Sequence, residues 1–270
     1  MRCIAPHLFL MKYDPIKNIF AKAIDKNNVA RNLFYRALDL LILRQWYVKK
    51  YIKMFFKTND SFTFYDAGAG FCQYTDFVMK RYKNAKIVSM DLKSDYMKSY
   101  QRSLNKDQLS RIKVFEGDLQ SFVSPEKTDL VIAIDILEHI ENDISVLNNF
   151  YKSMNNKALL ITSTPSNLDK AAAFTAEHVR PGYSPEDLQN KLLNAGFKIK
   201  EIRYSYGFWG KIYWNLGMKL PLQILSISKY FLIFMPVYFI VFMPFNLLFM
   251  LLDLMIINKA GNGIICIAEK

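Results

Sequence analysis

Glycine and cysteine are scarce in this chain of 270 residues, with ten of the first and three of the second. The cysteines, Cys3, Cys72 and Cys266, are far apart, odd in number and never in a CxxC. That excludes a disulfide framework and a zinc ribbon, and it fits a reducing compartment. Acidic residues are the minority charge, 24 against 36 Lys and Arg, for a net +12. The opening residues, MRCIAPHLFLMKYD, lack the apolar core and small-residue cleavage site of a secretory signal. The start of the chain is therefore expected to stay in the cytoplasm. Hydrophobic residues, by contrast, make up 51% of the chain, which rules out a disordered protein.

A basic balance suits either nucleic acid or an anionic membrane surface, so its location matters. Residues 1–57 hold twelve Lys and Arg and three acids, most of the excess. Within them, Arg31–Phe56 has no Gly or Pro and carries apolar residues at helical spacing (Phe34, Leu38, Leu41, Trp46, Ile52). The spacing predicts one long helix with a wide apolar face and a mainly basic polar side. It suits a lid packed on a domain or a helix lying on a membrane surface.

The middle of the chain alternates short β-branched runs with helical stretches. Strands are expected at Ser61–Ala67, Ala85–Asp91, Ile112–Glu116, Asp129–Asp135, Ala158–Ser163, Phe197–Tyr206 and Gly263–Ala268. Helices are expected at Tyr74–Tyr82, Ser94–Leu104, Glu141–Met154 and Ser184–Ala195, the last with Ser184 as N-cap and Pro185 behind it. This alternation predicts an α/β fold, a doubly wound and mainly parallel sheet. Ligands of such sheets bind beyond the carboxyl ends of the strands.

The first βα turn reads Asp66-Ala-Gly68-Ala-Gly70-Phe-Cys-Gln73. Two glycines let the backbone pass close to a ligand, but Gln73 stands where a dinucleotide fingerprint has its third glycine, which disfavours a nicotinamide cofactor. The next strand ends in Asp91-Leu92, suited to ribose hydroxyls. The third leads into Gly117-Asp118-Leu119, where Asp118 suits an adenine amine. The fourth ends in Asp135-Ile-Leu-Glu138-His139. One strand-end acid is often a turn residue; four in register are a pattern.

DAGAG, VSMDL, FEGDL and DLVIAIDILEHI resemble the motifs of class I S-adenosylmethionine-dependent methyltransferases of the broad type 11 group, over residues 60–205 and the final strand. The resemblance implies a Rossmann-like sheet of seven strands, the last antiparallel, and S-adenosylmethionine as cofactor. Asp66, Gly68 and Gly70 would lie near its methionine part, Asp91 and Leu92 at the ribose, Asp118 and Leu119 at the adenine, and Asp135 beside the methyl group. Residues 58–206 would form the core, 1–57 a basic helical cap, 207–259 a hydrophobic insertion and 260–270 the last core strand. Transfer from a sulfonium needs mainly an in-line nucleophile, with a base only for an acceptor that must lose a proton. His139, Glu177 and His178 are the candidates for that base. Arg180 and Tyr183, on the loop after the fifth strand, are expected to bind substrate. Asp135, Glu138, His139 and His178 are similar to the ligands of a few metal-dependent relatives, but no metal is assigned.

Tyr230–Leu252 runs 23 residues without a charge, enough to cross a hydrocarbon core that needs about 20. It lies between two expected strands of one sheet, so a single crossing is excluded. Pro221–Ile257 is 37 residues, broken by Lys229, where two crossings need about 40. A monotopic hairpin bent near Pro236 or Pro244 fits better, and a dimer interface or pocket cap is the bland alternative. The expectation is a membrane-associated methyltransferase on the cytoplasmic side, acting on a lipid-like acceptor at oxygen. An RNA methyltransferase lacks support from any Asn-Pro-Pro-Tyr-like motif. A non-catalytic scaffold would not need acids at all four strand ends.

Overall fold

A computed structural model describes residues 27–169 and 178–270. The β-branched runs form β1 (Thr63–Ala67), β2 (Lys86–Asp91), β3 (Ile112–Glu116), β4 (Thr128–Ile134), β5 (Met154–Pro165), β6 (Lys198–Ser205) and β7 (Gly263–Glu269). They make one sheet in the order β3-β2-β1-β4-β5-β7-β6. β1 to β5 are parallel, and β7 runs antiparallel between β5 and β6. The order reverses between β1 and β4, so the ligand crevice opens above the ends of those two strands.

Both faces of the sheet are covered, which is why its central strands read as unbroken apolar runs. Alternate residues point to opposite sides. Phe64, Ile87, Ile132 and Ile161 pack under α1 (Asn28–Leu41), α2 (Leu43–Phe55) and α3 (Gln73–Arg81). Tyr65, Val88, Val131 and Leu160 pack against α6 (Asp143–Ser153) and α7 (Pro185–Asn194). Short helices α4 (Asp95–Gln101) and α5 (Lys106–Ser110) bridge β2 and β3. Ser184 caps α7 by accepting from the Asp187 amide, with Pro185 at the first helical position.

The expected single N-terminal helix is two helices. Ile42 is extended (φ −117°, ψ 102°) and separates α1 from α2. A break leaves the last carbonyls of α1 without helical partners. Side chains take two of them: the Trp46 indole donates to Asp39 O at 2.7 Å, and the Tyr213 hydroxyl donates to Leu41 O. Each half keeps its own helical period, so the break leaves no mark in the sequence pattern.

Between β6 and β7 lie α8 (Phe208–Tyr213), a π-helical turn (Trp214–Lys219), α9 (Leu220–Ile227), a short 3-10 segment (Lys229–Phe234) and α10 (Met235–Met255). Entry and exit are neighbours, for Ser205 pairs with Gly263 and the Asn262 amide donates to Tyr206 O at 3.1 Å. The bend falls at extended Ser228, not at either proline. Pro236 sits in the first turn of α10, where its missing N–H costs nothing, and Pro244 lies within the continuous helix. Asp253, fully buried, roots the insertion in the core. Its carboxylate accepts from the amides of Tyr206, Gly207 and Gly210 at 2.8–3.0 Å and lies 2.9 Å from the Tyr47 hydroxyl. Gly210 permits this approach, since a Cβ there would stand 2.9 Å from the Asp253 carboxyl.

Candidate active site

The crevice is built at the carboxyl end of the sheet. Gly68 and Gly70 turn the chain with φ of +77° and +49°. A Cβ at Gly68 would overlap the Ile136 side chain, whereas one at Gly70 would meet nothing nearer than Gly68 O at 4.0 Å. The glycines therefore shape different things: the first lets β4's exit pack against the turn, and the second keeps open space above it. Asp91 ties this turn to the loop after β2. Its Oδ2 accepts from the Gly70 amide at 2.9 Å and its Oδ1 from the Lys93 amide at 3.0 Å.

Asp66 lies beneath the turn, nearly fully buried. Its Oδ2 accepts from the Thr75 amide at 3.1 Å and the Thr75 hydroxyl at 2.7 Å. Burial pushes its carboxyl up to about 7, against the pull of these two bonds, with the charge of Asp91 adding to the rise. Asp118 is exposed and caps its own turn, accepting from the Gln120 amide at 2.9 Å. Leu92 is exposed at the rim, but the Leu119 side chain is buried in the core. The Leu119 side chain is committed to packing, so a place at the adenine would fall to its backbone.

Asp135, immediately beyond β4, adopts a left-handed φ of +52°, uncommon for a residue with a Cβ. Its amide donates to Ser163 O at 2.8 Å, Oδ2 pairs with Arg44 at the start of α2, and Oδ1 is buried without a hydrogen-bond partner among the described residues. α1 roofs the turn. The Tyr35 hydroxyl donates to Phe71 O at 2.6 Å, Arg31 donates to the Ser99 hydroxyl at 2.8 Å, and Phe71 packs between Phe34 and Tyr96.

A short 3-10 turn, Leu137–His139, follows. Glu138, His139 and His178 converge here, with one donor atom of each within 4.8 Å of the others. The two imidazoles meet edge to face, ring centres 4.6 Å apart. Glu138 is fully buried, and neither carboxylate oxygen has a hydrogen-bond partner among the described residues. Burial raises its carboxyl above the usual carboxylate range, opposed by the charges of His139, Arg44 and Arg180.

Arg180 and Tyr183, expected to bind substrate, are engaged elsewhere. Arg180 donates to Leu137 O at 2.6 Å and to Glu141 O at 2.9 Å. Tyr183 is buried, its hydroxyl 2.7 Å from an Asp143 carboxylate oxygen. Together with the Val179 amide, which donates to Glu138 O at 2.9 Å, they staple the loop to the 3-10 turn and so place His178 beside His139. Glu177 lies outside the described residues. Sequence reasoning did not single out Arg44, whose reach to Asp135 depends on the break at Ile42. Glu138 was legible beside His139 and, through the resemblance, as one of a ligand-like set with Asp135, His139 and His178, but not as a base candidate.

Residues 65–160 match the family model of a methyltransferase domain, type 12 where the motifs resemble type 11. No curated protein matches the sequence. Solved structures share the fold at low identity. One described as a sarcosine dimethylglycine methyltransferase from Galdieria sulphuraria is 13% identical, with 84% of this chain and 83% of that one covered at a TM-score of 0.56. A SAM-dependent methyltransferase from Archaeoglobus fulgidus is 15% identical, with 89% and 94% covered at 0.52. The [4+2]-cyclase SpnF is 14% identical, with 83% and 79% covered at 0.57, so this fold is not tied to one chemistry. The matched domain and the sheet order agree: residues 65–160 carry a methyltransferase domain within a seven-stranded sheet of the kind found in S-adenosylmethionine-dependent methyltransferases, which implies S-adenosylmethionine as cofactor.

Proposed function

We propose that this enzyme methylates an oxygen of a hydrophobic, lipid-like acceptor at the cytoplasmic surface of a membrane. One observation carries the reading. Tyr230–Met255 is a helical stretch long and apolar enough to cross a bilayer, yet only 11% of its most apolar window is buried, and it leaves and re-enters the sheet at paired residues. A surface of Ile227, Tyr230, Ile233, Ile240 and Ile257 open to water would be an aggregation liability, and lipid contact removes it. The pairing of Ser205 with Gly263 favours an in-plane or re-entrant hairpin over a single crossing. The insertion also borders the site, because Tyr213 holds the break between α1 and α2 and the Tyr206 hydroxyl accepts from the Arg44 amide at 3.3 Å.

The crevice suits its cofactor. The space above Gly70 admits a backbone-hugging ligand, and the carboxylates of Asp66, Asp91 and Asp135 suit a cationic group with ribose hydroxyls. In this reading Asp91 holds the ribose, the Asp118 loop the adenine, and Asp66, Gly68 and Gly70 flank the methionine part. Bound S-adenosylmethionine supplies a methyl already activated on a sulfonium. The chain orients the acceptor and takes its proton. His139 or His178 removes the hydroxyl proton, and the imidazolium that forms favours the ionised form of Glu138 beside it, which in turn stabilises that charge. Arg44, released from Asp135, is placed to steer the acceptor's polar head.

The convergence of one carboxylate and two imidazoles favours a second reading, in which Glu138, His139 and His178 hold a divalent cation that binds the acceptor oxygen. Chelator-treated enzyme tells them apart: unchanged turnover supports the base, and loss restored by one divalent metal supports the cation. The whole proposal is tested by incubating the enzyme with lipid extract, RNA and methyl-labelled cofactor. Label in the organic phase is expected; label confined to RNA, or none, would overturn it.

A further inference from the structure

Where α2 meets the end of α10, a cavity of about 610 Å³ opens on the surface. Its walls are unlike the rest of the insertion. Lys49, Lys50 and Lys53 line it one turn beyond Trp46, together with Met54 from the same helix and Leu254 from α10. The spacing of 46, 49, 50 and 53 puts these four side chains on one face of α2, opposite the face (Leu43, Tyr47, Val48, Tyr51, Ile52) buried in the core. Asp39 pairs with Lys49. Among the described residues, neither Lys50 nor Lys53 has a carboxylate within ion-pair distance. Lys50 reaches only the Leu254 carbonyl, at 3.4 Å, and Lys53 lies 5.7 Å from the centre of the Phe77 ring. A second cavity shares Asp39, Lys49 and Lys53 and adds Arg36, Arg81 and Lys80, the last paired with Asp76 at 2.8 Å.

The cavity lies at the root of the apolar insertion. Tyr47, on the same helix, donates to Asp253 O at 2.6 Å, where α10 enters the core. Just beyond, Met255, Ile256 and Ile257 are exposed, and Met54 extends that apolar strip to the lysines. Exposed grease therefore stops where the ammonium groups begin, with an indole at the border. In a bilayer, acyl chains give way to phosphates at such a border, and Trp and Lys gather there. Three lysines and one acid leave an excess of positive charge, and burial already lowers Lys49 from its usual range.

We infer that this cavity is a headgroup site for an anionic phospholipid, its phosphate held by Lys49, Lys50 and Lys53 while its acyl chains lie along Met54 and α10. The inference rests on the membrane reading above and adds a discrete site to it. The site would fix the depth and rotation of the enzyme on the bilayer, and with them the height of the crevice above the lipid.

The test uses the full chain and sedimentation with vesicles of phosphatidylcholine, with or without phosphatidic acid. Wild type is expected to prefer phosphatidic acid by about tenfold or more, as three lysines near a charged surface would give. The K49Q/K50Q/K53Q variant should lose that preference yet still bind neutral vesicles through its apolar helices. A charge-matched K83Q/K86Q/K106Q variant, whose lysines line neither cavity, should keep it. Acetylation mapping should show Lys49, Lys50 and Lys53 protected by phosphatidic acid vesicles, and not by inorganic phosphate alone. Retention of the preference in the pocket variant, equal loss in the control, or equal protection by inorganic phosphate would each overturn the headgroup site while leaving the membrane reading intact. Wild type binding no vesicle at all would overturn both.

Discussion

Asp66→Asn separates what the fold wants from what the cofactor needs. The wild-type carboxyl is raised from 3.8 to about 7 chiefly by burial. The folded chain therefore holds a proton that the unfolded chain has released. The stability tied to this site is complete below about pH 4 and is lost as the pH rises through about 7. At about 1.4 kcal/mol per unit, the ionised side chain costs the apo protein about 4 kcal/mol at pH 8. Asparagine keeps an oxygen to accept from Thr75 and carries no charge to bury. The variant should therefore be more stable than wild type, by a margin that grows by about 2 to 3 kcal/mol between pH 5 and pH 8. Denaturant unfolding of the apo protein at both values measures this. Cofactor affinity should move the other way. A cationic ligand favours ionised Asp66, so wild-type affinity should strengthen from pH 6 to pH 8, and the variant should bind weakly at both. A margin that does not change with pH would refute the assignment of burial as the cause.

Other outcomes follow from the same geometry. Asp91→Ala removes the acceptor for the Gly70 and Lys93 amides and should weaken cofactor binding at least about tenfold, one lost charged hydrogen bond being worth roughly 1.5–3 kcal/mol; calorimetry that finds unchanged binding rejects the site. His178→Ala should leave cofactor binding near wild type while turnover falls about 100-fold or more, the scale of lost general-base catalysis. Tyr47→Phe removes the buried hydroxyl that joins α2 to Asp253 and should cost about 1 to 3 kcal/mol in denaturant unfolding. Asn246 is buried in the insertion with no hydrogen-bond partner for its amide among the described residues, so Asn246→Leu should raise the melting temperature; a fall would show that the amide is satisfied in solution.

Much of the core was legible because its information is local. β-branched runs bounded by turns form strands, and the acids at their ends fall at one edge because parallel strands share a direction. The return of the insertion to its own sheet was likewise legible, since it needs only the knowledge that the strands on either side of it pair. Pro244 misled, because a proline can sit in a helix when neighbouring packing compensates.

The order of elements, the glycine turn and the charge-free run belong to the sequence alone, and they determine the class of fold and cofactor. Tertiary structure decided the rest. It broke the N-terminal helix at Ile42, where Trp46 and Tyr213 take up the freed carbonyls. It brought His178 to Glu138 and His139 across some forty residues, and it turned Arg180 and Tyr183 from expected substrate ligands into supports. It also made Asp253 the root of the insertion. Each of these is a contact between segments distant in the chain, and local periodicity carries no record of such contacts.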